Sequence, residues 1–229
     1  SKSARHHIFI TIDQIMKSAV ANGLCSRNPC EGIKVKPDAT FKNITVYKPD
    51  EIACLLSHLD RPFGVAIAIL LYAGLRSEEV MGLHWRDIDQ KNRTLTIRRV
   101  VTRVAKGEFA PVETTKSDRI RVITYGDQLA MHLRAAPRTS IYVVPAVRGG
   151  YMTPGSFRRQ YDNFFKGLTV RRLSPHKLRH TYATYLIKGG AELRAVQTLL
   201  GHSSVKVTEI YTHVNTDDQR RASQKLANL

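Results

Sequence analysis

One stretch of the sequence, from Phe63 to Tyr72, is apolar on every side of a helix. A helix without a polar face is stable only when other elements cover it, so the pattern predicts a central buried helix that ends at Gly74. The run is far shorter than the roughly 20 residues that a membrane-spanning helix needs. The N-terminus, S-K-S-A-R-H-H, does not have the layout of a signal peptide. We therefore expect a globular chain organised around this helix, without a membrane partner.

Apolar periodicity and capping residues predict further helices. Pro49 and Ser77 are each followed by acids, which favour the N-terminus of a helix. Ser174 is suited to an N-cap, and the proline after it is suited to the first helical position. Together these signals predict helices over 8–20, 49–59, 77–83, 126–136, 153–165 and 174–188.

A small sheet is predicted among the helices. Leu95 and Ile97 alternate with polar residues, which is the pattern of a half-buried strand. Lys106-Gly107 is suited to a hairpin turn that leads into a return strand over 109–113, and residues 119–122 alternate again. The predicted fold is therefore mainly α-helical, with a small three-stranded antiparallel sheet.

Composition divides the chain into four parts. Residues 1–34 contain one helix with an apolar stripe and are interpreted as the end of a preceding domain. Residues 35–45 are polar and basic and contain a proline, which is typical of a linker. Residues 46–215 have the composition of a compact domain. Residues 216–229 predict a short tail helix, which needs a groove to be stable. That groove lies either on a neighbouring protomer or on the helix's own domain.

The charge of the chain indicates the kind of partner it binds. The 229 residues include 36 lysines and arginines and 19 aspartates and glutamates, a formal net charge of +17. Such an excess attracts polyanions, most often nucleic acid. The alternative is a solvated basic surface without a partner. Three cysteines are typical of a reducing cytosol, and the spacing of Cys25 and Cys30 matches no common zinc signature. Reduced thiols and no metal are therefore predicted.

The stretch from Ser174 to Tyr211 contains side chains suited to a phosphate ester. His176 and Arg179 are three residues apart at the predicted start of a helix, where the helix dipole also favours an anion. His202 adds a second imidazole after a glycine turn. Each of these residues alone has an ordinary structural explanation. A free tyrosine titrates near pH ~10, so it becomes a nucleophile only if a base accepts its proton and cations stabilise the developing charge.

Six segments, in this order, resemble the motifs of the tyrosine recombinases, the phage and transposon integrase family that includes the bacterial Xer-type resolvases. They are A-G-L-R-S-E-E-V (73–80), L-H-W-R-D-I-D (83–89), T-K-S-D-R-I-R-V-I (115–123), H-K-L-R-H-T-Y-A-T (176–184), L-G-H-S-S (200–204) and T-E-I-Y-T-H-V (208–214). Each segment is unremarkable by itself, but together they span most of residues 46–214. The resemblance implies a catalytic domain like that of the tyrosine recombinases and type IB topoisomerases. It also implies that residues 1–34 are the C-terminal part of a truncated core-binding domain.

The resemblance implies a role for each candidate residue. Arg76 and Arg179 match two arginines that hold the non-bridging oxygens of the scissile phosphate, a task that suits planar forked donors. Lys116, on the connection between the second and third strands, matches the lysine that protonates the leaving 5′-oxygen. Tyr211 matches the nucleophile, which forms a 3′-phosphotyrosyl bond.

The remaining candidates are implied to support this chemistry. His176 matches a residue that accepts the tyrosine's proton or supports the phosphate, and His202 matches a position that donates to the phosphate. Glu79 matches an acid that orients a neighbouring basic group, although an acid opposing the dipole at a helix start explains it equally well. Asp87 and Asp89 are interpreted as structural.

The implied reaction uses neither a metal nor a nucleotide, because the protein–DNA bond keeps the phosphodiester energy. The implied partners are double-stranded DNA and three further copies of the chain, which form a homotetramer on two duplexes. A monomer without DNA, and accessory DNA-bending or excision factors, are further expectations. The tail is expected to dock on a neighbouring protomer, as in the family. The expected location is the bacterial cytoplasm, in association with DNA.

The favoured function is a site-specific recombinase that integrates or excises a mobile element. Three alternatives stay open: an Xer-type chromosome-dimer resolvase, a relaxing type IB topoisomerase, and a catalytically idle DNA-binding protein of the same fold. The complete set of six catalytic candidates argues against the idle protein.

Overall fold

The computed structural model describes residues 2–33, 45–113 and 120–200. The chain forms two compact units, Ser1–Ile44 and Thr45–Leu229, which are described separately. The predicted tail helix over 216–229 lies outside the described residues, and so does the predicted linker over 35–45 except for Thr45.

The first unit contains one long helix and the turns that follow it. Helix α1 (Lys2–Ala21) begins earlier than the predicted range of 8–20 and ends one residue after it, and Gly23 just beyond has a φ of +69°. The predicted apolar stripe forms but is exposed: 58% of Ile8 and 59% of Ile15 are accessible. The periodicity therefore predicts the helix correctly, whereas its apolar side chains are not buried.

The second unit is mainly helical with short strands, which confirms the predicted fold class. Its described elements, in chain order, are α2 (Pro49–Leu56), α3 (Gly64–Tyr72), α4 (Ser77–Gly82), a 3₁₀ turn (Trp85–Asp87), β1 (Ile88–Asp89), β2 (Thr94–Ile97), β3 (Arg99–Ala105), β4 (Glu108–Glu113), β5 (Arg121–Thr124), α5 (Asp127–Ala135), α6 (Pro154–Phe165), α7 (Pro175–Lys188) and α8 (Leu193–Leu200).

Two findings hold for residues 2–33, 45–113 and 120–200 of the chain. None of the helices there is both long and apolar enough to cross a membrane. No group of three histidine, cysteine, aspartate or glutamate side chains in those ranges is placed to hold a metal ion. Cys25, Cys30 and Cys54 are free thiols.

Helix α3 is the centre of the second unit, as its sequence predicts. Every residue of the helix except Val65 is buried, and the helix packs against α5 and α7. The first residue of the helix, Gly64, has no room for a side chain, because a Cβ there would lie 2.0 Å from the carbonyl oxygen of Leu59. Phe63, just before it, has a left-handed φ of 73° and packs edge-on against Phe157, with ring centroids 4.9 Å apart.

The strands form two separate sheets. One is a three-stranded antiparallel sheet in the order β1-β2-β5, in which Leu95 lies opposite Ile123. The other is the β3–β4 hairpin around the predicted Lys106-Gly107 turn, where Gly107 has a φ of +81°. The hairpin is therefore not part of the three-stranded sheet.

The prediction of a single strand before the hairpin turn is wrong. Burial alternates without interruption, because Leu95, Ile97, Arg99 and Val101 are all buried. The pairing partner nevertheless changes at Arg98: β2 pairs with β1 and β5, whereas β3 pairs with β4. Alternation reports which face of a strand is buried and not which strand it pairs with, so the sequence pattern could not reveal the change.

Asp87 and Asp89 make structural contacts. Asp87 is buried and pairs with Arg98 at 2.9 Å and with the buried Arg99. Asp89 accepts a hydrogen bond at 2.9 Å from the backbone N–H of Asn92, in the turn between β1 and β2. Both carboxylates thus hold the chain where it enters the three-stranded sheet.

The helices after the sheet follow most of the sequence signals. Helix α6 lies within the predicted range of 153–165 and buries four aromatic side chains, and α7 begins after Ser174 and is followed by Gly189-Gly190. The side chain of Ser174 makes no capping hydrogen bond, so this serine occupies the N-cap position without the predicted contact. Helix α8, which buries Val196, Leu199 and Leu200, is not among the helices that the sequence pattern predicts.

Candidate active site

The first part of the candidate site is the turn between α3 and α4. Gly74 has a left-handed φ of +61°, and a Cβ at this position would lie 2.4 Å from Cδ1 of Tyr182 on α7. Glycine satisfies both the backbone angle and the close approach. The turn therefore brings α7 against the chain just before Arg76, which is the N-cap residue of α4.

Glu79 is the centre of the site, and only 3% of its surface is exposed. Arg76 donates its backbone N–H to Oε2 of Glu79 at 2.7 Å and its Nη1 to Oε1 at 3.0 Å. Arg121, the first residue of β5, donates Nη1 to Oε1 at 2.7 Å and Nη2 to Oε2 at 2.8 Å. One carboxylate therefore connects the start of α4, the side chain of Arg76 and the start of β5.

Arg179 on α7 completes a group that we call the arginine cluster: Arg76, Arg121 and Arg179 around Glu79. The Arg179 side chain is buried, with Nη1 4.0 Å from Oε2 of Glu79. Its Nη1 donates to the carbonyl oxygen of Gly74 at 2.6 Å, and its Nη2 donates to the carbonyl oxygen of Leu200. Arg179 therefore joins α7 to the turn before Arg76 and to the end of α8.

Three guanidinium groups and one carboxylate leave two positive charges in excess within the arginine cluster. Burial, together with the charge of Arg76, lowers the pKa of Arg179 to about 10. Burial by itself would raise the pKa of Glu79, but the hydrogen bonds and charge of Arg121, assisted by Arg76, hold it below its usual value. Glu79 is therefore ionised and Arg179 protonated at neutral pH, and the excess charge favours an anion.

His176 is the second residue of α7, and its ring packs edge-on against His180 with centroids 4.6 Å apart. Partial burial, and then the charges of Arg179 and Arg76, lower the pKa of His176 below its usual value of 6.5. The imidazole is therefore mostly neutral at neutral pH and can accept a proton. The structure thus places His176 within electrostatic reach of the arginine cluster.

Three of the predicted catalytic residues, Lys116, His202 and Tyr211, lie outside the described residues. The structure brings together the other three and Glu79. Helix α8 ends at Leu200, two residues before His202 in the sequence, and its last carbonyl is the one that Arg179 binds.

Arg121 is the member of the arginine cluster that sequence reasoning missed. It lies inside the segment 115–123, whose alternation indicated only a strand. Its neighbours Ile120 and Val122 are exposed, whereas Arg121 shares a strand face with the buried Ile123 and is itself 18% exposed at its side chain. An arginine on the same strand face as a buried apolar residue is the signal that could have identified Arg121.

Comparison with known proteins identifies the family of the chain. Residues 46–218 match the model of the phage integrase family. The chain therefore belongs to the phage integrase family, whose members are the tyrosine recombinases. The resemblance found in the sequence is thereby confirmed.

Curated relatives support the same class. The tyrosine recombinase XerD of Rickettsia conorii is 33% identical over 196 residues, which cover 75% of this chain and 60% of that protein. The tyrosine recombinase XerC of Corynebacterium efficiens is 40% identical over 159 residues, which cover 66% of this chain and 46% of that protein. The chain thus spans less than two thirds of the length of these relatives.

Solved structures share the fold. The Tn1549 transposon integrase in complex with transposon right end DNA superposes with a TM-score of 0.72 at 22% identity, covering 97% of this chain and 78% of that one. A lambda integrase tetramer bound to a Holliday junction superposes with a TM-score of 0.57 at 18% identity, covering 89% of this chain and 60% of that one. At these identities the likeness establishes the fold.

Proposed function

We propose that the protein is a site-specific DNA recombinase of the integrase type, which cuts and rejoins double-stranded DNA at the ends of a mobile element. The observation that carries the proposal is the arginine cluster, in which Glu79 and Arg179 are buried and Arg76 is partly exposed. The cluster holds an excess of positive charge and lies in a chain of the phage integrase family. Such preorganised donors suit a phosphate that gains negative charge in a transition state. The reaction proceeds through a 3′-phosphotyrosyl intermediate and uses no metal or nucleotide.

Arg76 and Arg179 hold the scissile phosphate in this proposal. Planar guanidinium groups donate in a fixed fork, so they can bind two non-bridging oxygens at defined positions. The carbonyl oxygens of Gly74 and Leu200 fix the orientation of Arg179 before any DNA binds. Preorganisation of this kind means that little rearrangement is needed as charge develops on the phosphate.

Tyr211 is the proposed nucleophile. Its oxygen forms a bond to phosphorus while the bond from phosphorus to the 5′-oxygen breaks. His176 accepts the phenolic proton, Lys116 gives a proton to the leaving oxygen, and His202 donates to the phosphate. One phosphodiester replaces another, so a 5′-hydroxyl from a second duplex can reverse the step and join the strands.

The proposed assembly is a homotetramer on two DNA duplexes. It is supported by the net charge of +17 and by the fold shared with a lambda integrase tetramer that was solved on a Holliday junction. In this assembly, residues 1–34 belong to a core-binding domain and residues 216–229 dock on a neighbouring protomer. Exchange of the tail would couple the activity of one protomer to the next.

A second candidate is an Xer-type resolvase, and the identity to XerD and XerC proteins is the observation that favours it. The two functions differ in the DNA they cut. Sequencing of genomic fragments that become covalently attached to the protein separates them. Fragments from the two ends of a mobile element support the integrase, whereas fragments from one chromosomal site support the resolvase.

A nicked duplex that carries the recognised sequence tests the proposed chemistry. The short strand beyond the nick is lost after cleavage, so the covalent adduct accumulates and is seen as a slower band on a denaturing gel. We expect an adduct with the natural protein and none with Tyr211→Phe. Tyr151→Phe is a matched control, because that phenol instead donates to the carbonyl of Phe109 at 2.9 Å.

Two outcomes would contradict the proposal. If Tyr211→Phe still forms the adduct, the nucleophile is another residue. If the natural protein binds the duplex but forms no adduct, the chain is a DNA-binding protein without the cleavage activity.

A further inference from the structure

Arg121 joins the three-stranded sheet to the candidate site. It is the first residue of β5 and lies opposite Ile97 of β2 in the antiparallel register. Its side chain reaches Glu79, 42 residues away in the sequence, and binds both carboxylate oxygens at 2.7 and 2.8 Å. Two parallel hydrogen bonds of this kind fix orientation as well as distance. We call this pair of hydrogen bonds the fork. It sets the position of Glu79 relative to the sheet.

The burial of Glu79 explains why such a partner is needed. A carboxylate that is only 3% exposed is stable in its charged form only when hydrogen bonds and opposite charges replace the lost water. Arg121 supplies two of those hydrogen bonds, and Arg76 supplies a backbone and a side-chain hydrogen bond. Removal of Arg121 would leave the carboxylate to attract the remaining guanidinium groups more strongly.

Removal of Arg121 would also change the position and the effective charge of Arg76. Its guanidinium contacts Oε1 of Glu79 at 3.0 Å, which is the same oxygen that Nη1 of Arg121 binds. Because Arg121 shares this oxygen and balances its charge, Glu79 orients Arg76 without neutralising it. Without Arg121, the positive excess of the arginine cluster would fall from two charges to one. A weaker field and a displaced Arg76 would both reduce stabilisation of a developing phosphate charge.

We infer that Arg121 is a positioning residue, which holds Glu79 so that Arg76 faces the scissile phosphate and keeps its charge available. The inference rests on the proposed function, because it assigns Arg121 a part in the same reaction. Arg121 itself binds the carboxylate and need not touch DNA.

The chain offers a matched control. Arg171 binds Glu51 at the start of α2 with a similar fork, through Nε to Oε1 at 2.5 Å and Nη2 to Oε2 at 2.7 Å. Glu51 also accepts the backbone N–H of its N-cap residue, Lys48. Arg171→Gln therefore removes the same kind of pair from the same kind of helix start, outside the arginine cluster.

The test compares Arg121→Gln, Arg121→Lys and Arg171→Gln in single-turnover cleavage of the nicked duplex. Two scissile groups are used: the ordinary phosphate and a methylphosphonate, in which a neutral methyl replaces one charged oxygen. On the phosphate we expect Arg121→Gln to cleave roughly 10- to 100-fold more slowly than the natural protein. Arg121→Lys keeps the charge without the fork, so its rate should fall between the two. Arg171→Gln should stay within about threefold of the natural protein.

The cleavage rate on the methylphosphonate distinguishes a positioning role of Arg121 from a general loss of folded protein. Less charge develops on this group, so the loss caused by Arg121→Gln should shrink to roughly threefold or less. A variant that is slow only because it is partly unfolded would lose the same factor on both substrates. Equal losses on both substrates, or equal losses for Arg121→Gln and Arg171→Gln, would overturn the inference. If Arg121→Gln does not fold, Arg121→Lys is judged by the same two comparisons.

The proposed function fails independently of this inference. If the natural protein forms no adduct through Tyr211, the recombinase proposal is wrong. If it does form the adduct and Arg121→Gln cleaves both substrates at the natural rate, only the role of Arg121 is wrong.

Discussion

Helices α2 and α4 begin with the same pattern of hydrogen bonds, but only the start of α4 forms part of the candidate site. In each, the glutamate at the third helical position accepts the N–H of the N-cap residue: Glu51 from Lys48 at 2.8 Å, and Glu79 from Arg76 at 2.7 Å. In each, an arginine from a distant part of the chain binds both carboxylate oxygens. The local motif and its partner are therefore alike.

The surroundings of the two glutamates differ. Glu51 is partly buried, but its partner Arg171 is 49% exposed at its side chain, and the hydrogen bonds of Arg171 lower the pKa of Glu51 to about 2. Glu79 is buried, and two further arginines, at positions 76 and 179, lie beside it. The comparison shows that a bidentate carboxylate–arginine pair contributes little when solvent screens the arginine. The same pair forms the centre of a candidate anion site when the carboxylate is buried and further arginines lie beside it.

The largest expected difference is in stability. Glu79→Ala leaves the buried Arg179 and the mostly covered Arg121 without their carboxylate, which we expect to lower the free energy of unfolding by about 3–5 kcal/mol. Glu51→Ala removes a pair whose arginine is exposed to solvent, and it should cost less, about 1 kcal/mol. Urea unfolding of the two variants, followed by far-UV circular dichroism, measures both values. Equal losses would mean that burial does not distinguish the two forks.

A smaller effect concerns pH. His176 lies three residues before Arg179 on α7, and its pKa is lowered below 6.5 by partial burial and by the charges of Arg179 and Arg76. A histidine that accepts the tyrosine's proton is active when neutral, so the cleavage rate should fall as pH decreases through this lowered pKa. We therefore expect the acid limb of the rate profile below pH 6.5.

Two histidine variants check the assignment of this limb. His176→Gln should remove the acid limb and lower the rate on its plateau. His58 lies just after α2 and contacts the carbonyl of Cys54 at 2.7 Å, so His58→Gln should leave the profile unchanged. An acid limb that survives His176→Gln would assign the proton transfer to another group.

The sequence predicts the elements that depend on local pattern. The all-apolar run around Leu70 predicts α3, and the spacing of Phe157, Tyr161 and Phe164 predicts the buried face of α6. The candidate residues Arg76, Glu79 and Arg179 were also available from the sequence, because they lie in segments that resemble a known family. Burial and periodicity are properties of neighbouring residues, so a single sequence carries them.

The remaining features depend on contacts between distant residues. The fork between Glu79 and Arg121 spans 42 positions, and nothing local to either residue specifies the other. The change of pairing partner at Arg98 leaves the alternation of burial intact. Helix α8 has eight residues, which provide little more than two turns of periodicity. Each of these requires knowledge of which elements meet.

The most direct test of the central claim is the single-turnover cleavage rate of Glu79→Gln relative to Glu51→Gln. Each variant keeps the shape of its side chain and removes one charge, so the two differ only in what surrounds the glutamate. Because Glu79→Gln raises the positive excess of the cluster, a slower rate reports lost orientation of the arginines and not a weaker field. The claim that Glu79 orients the arginines that hold the scissile phosphate predicts a loss of roughly 10-fold or more for Glu79→Gln, and a natural rate for Glu51→Gln. Equal rates for the two variants on the same nicked duplex would contradict it.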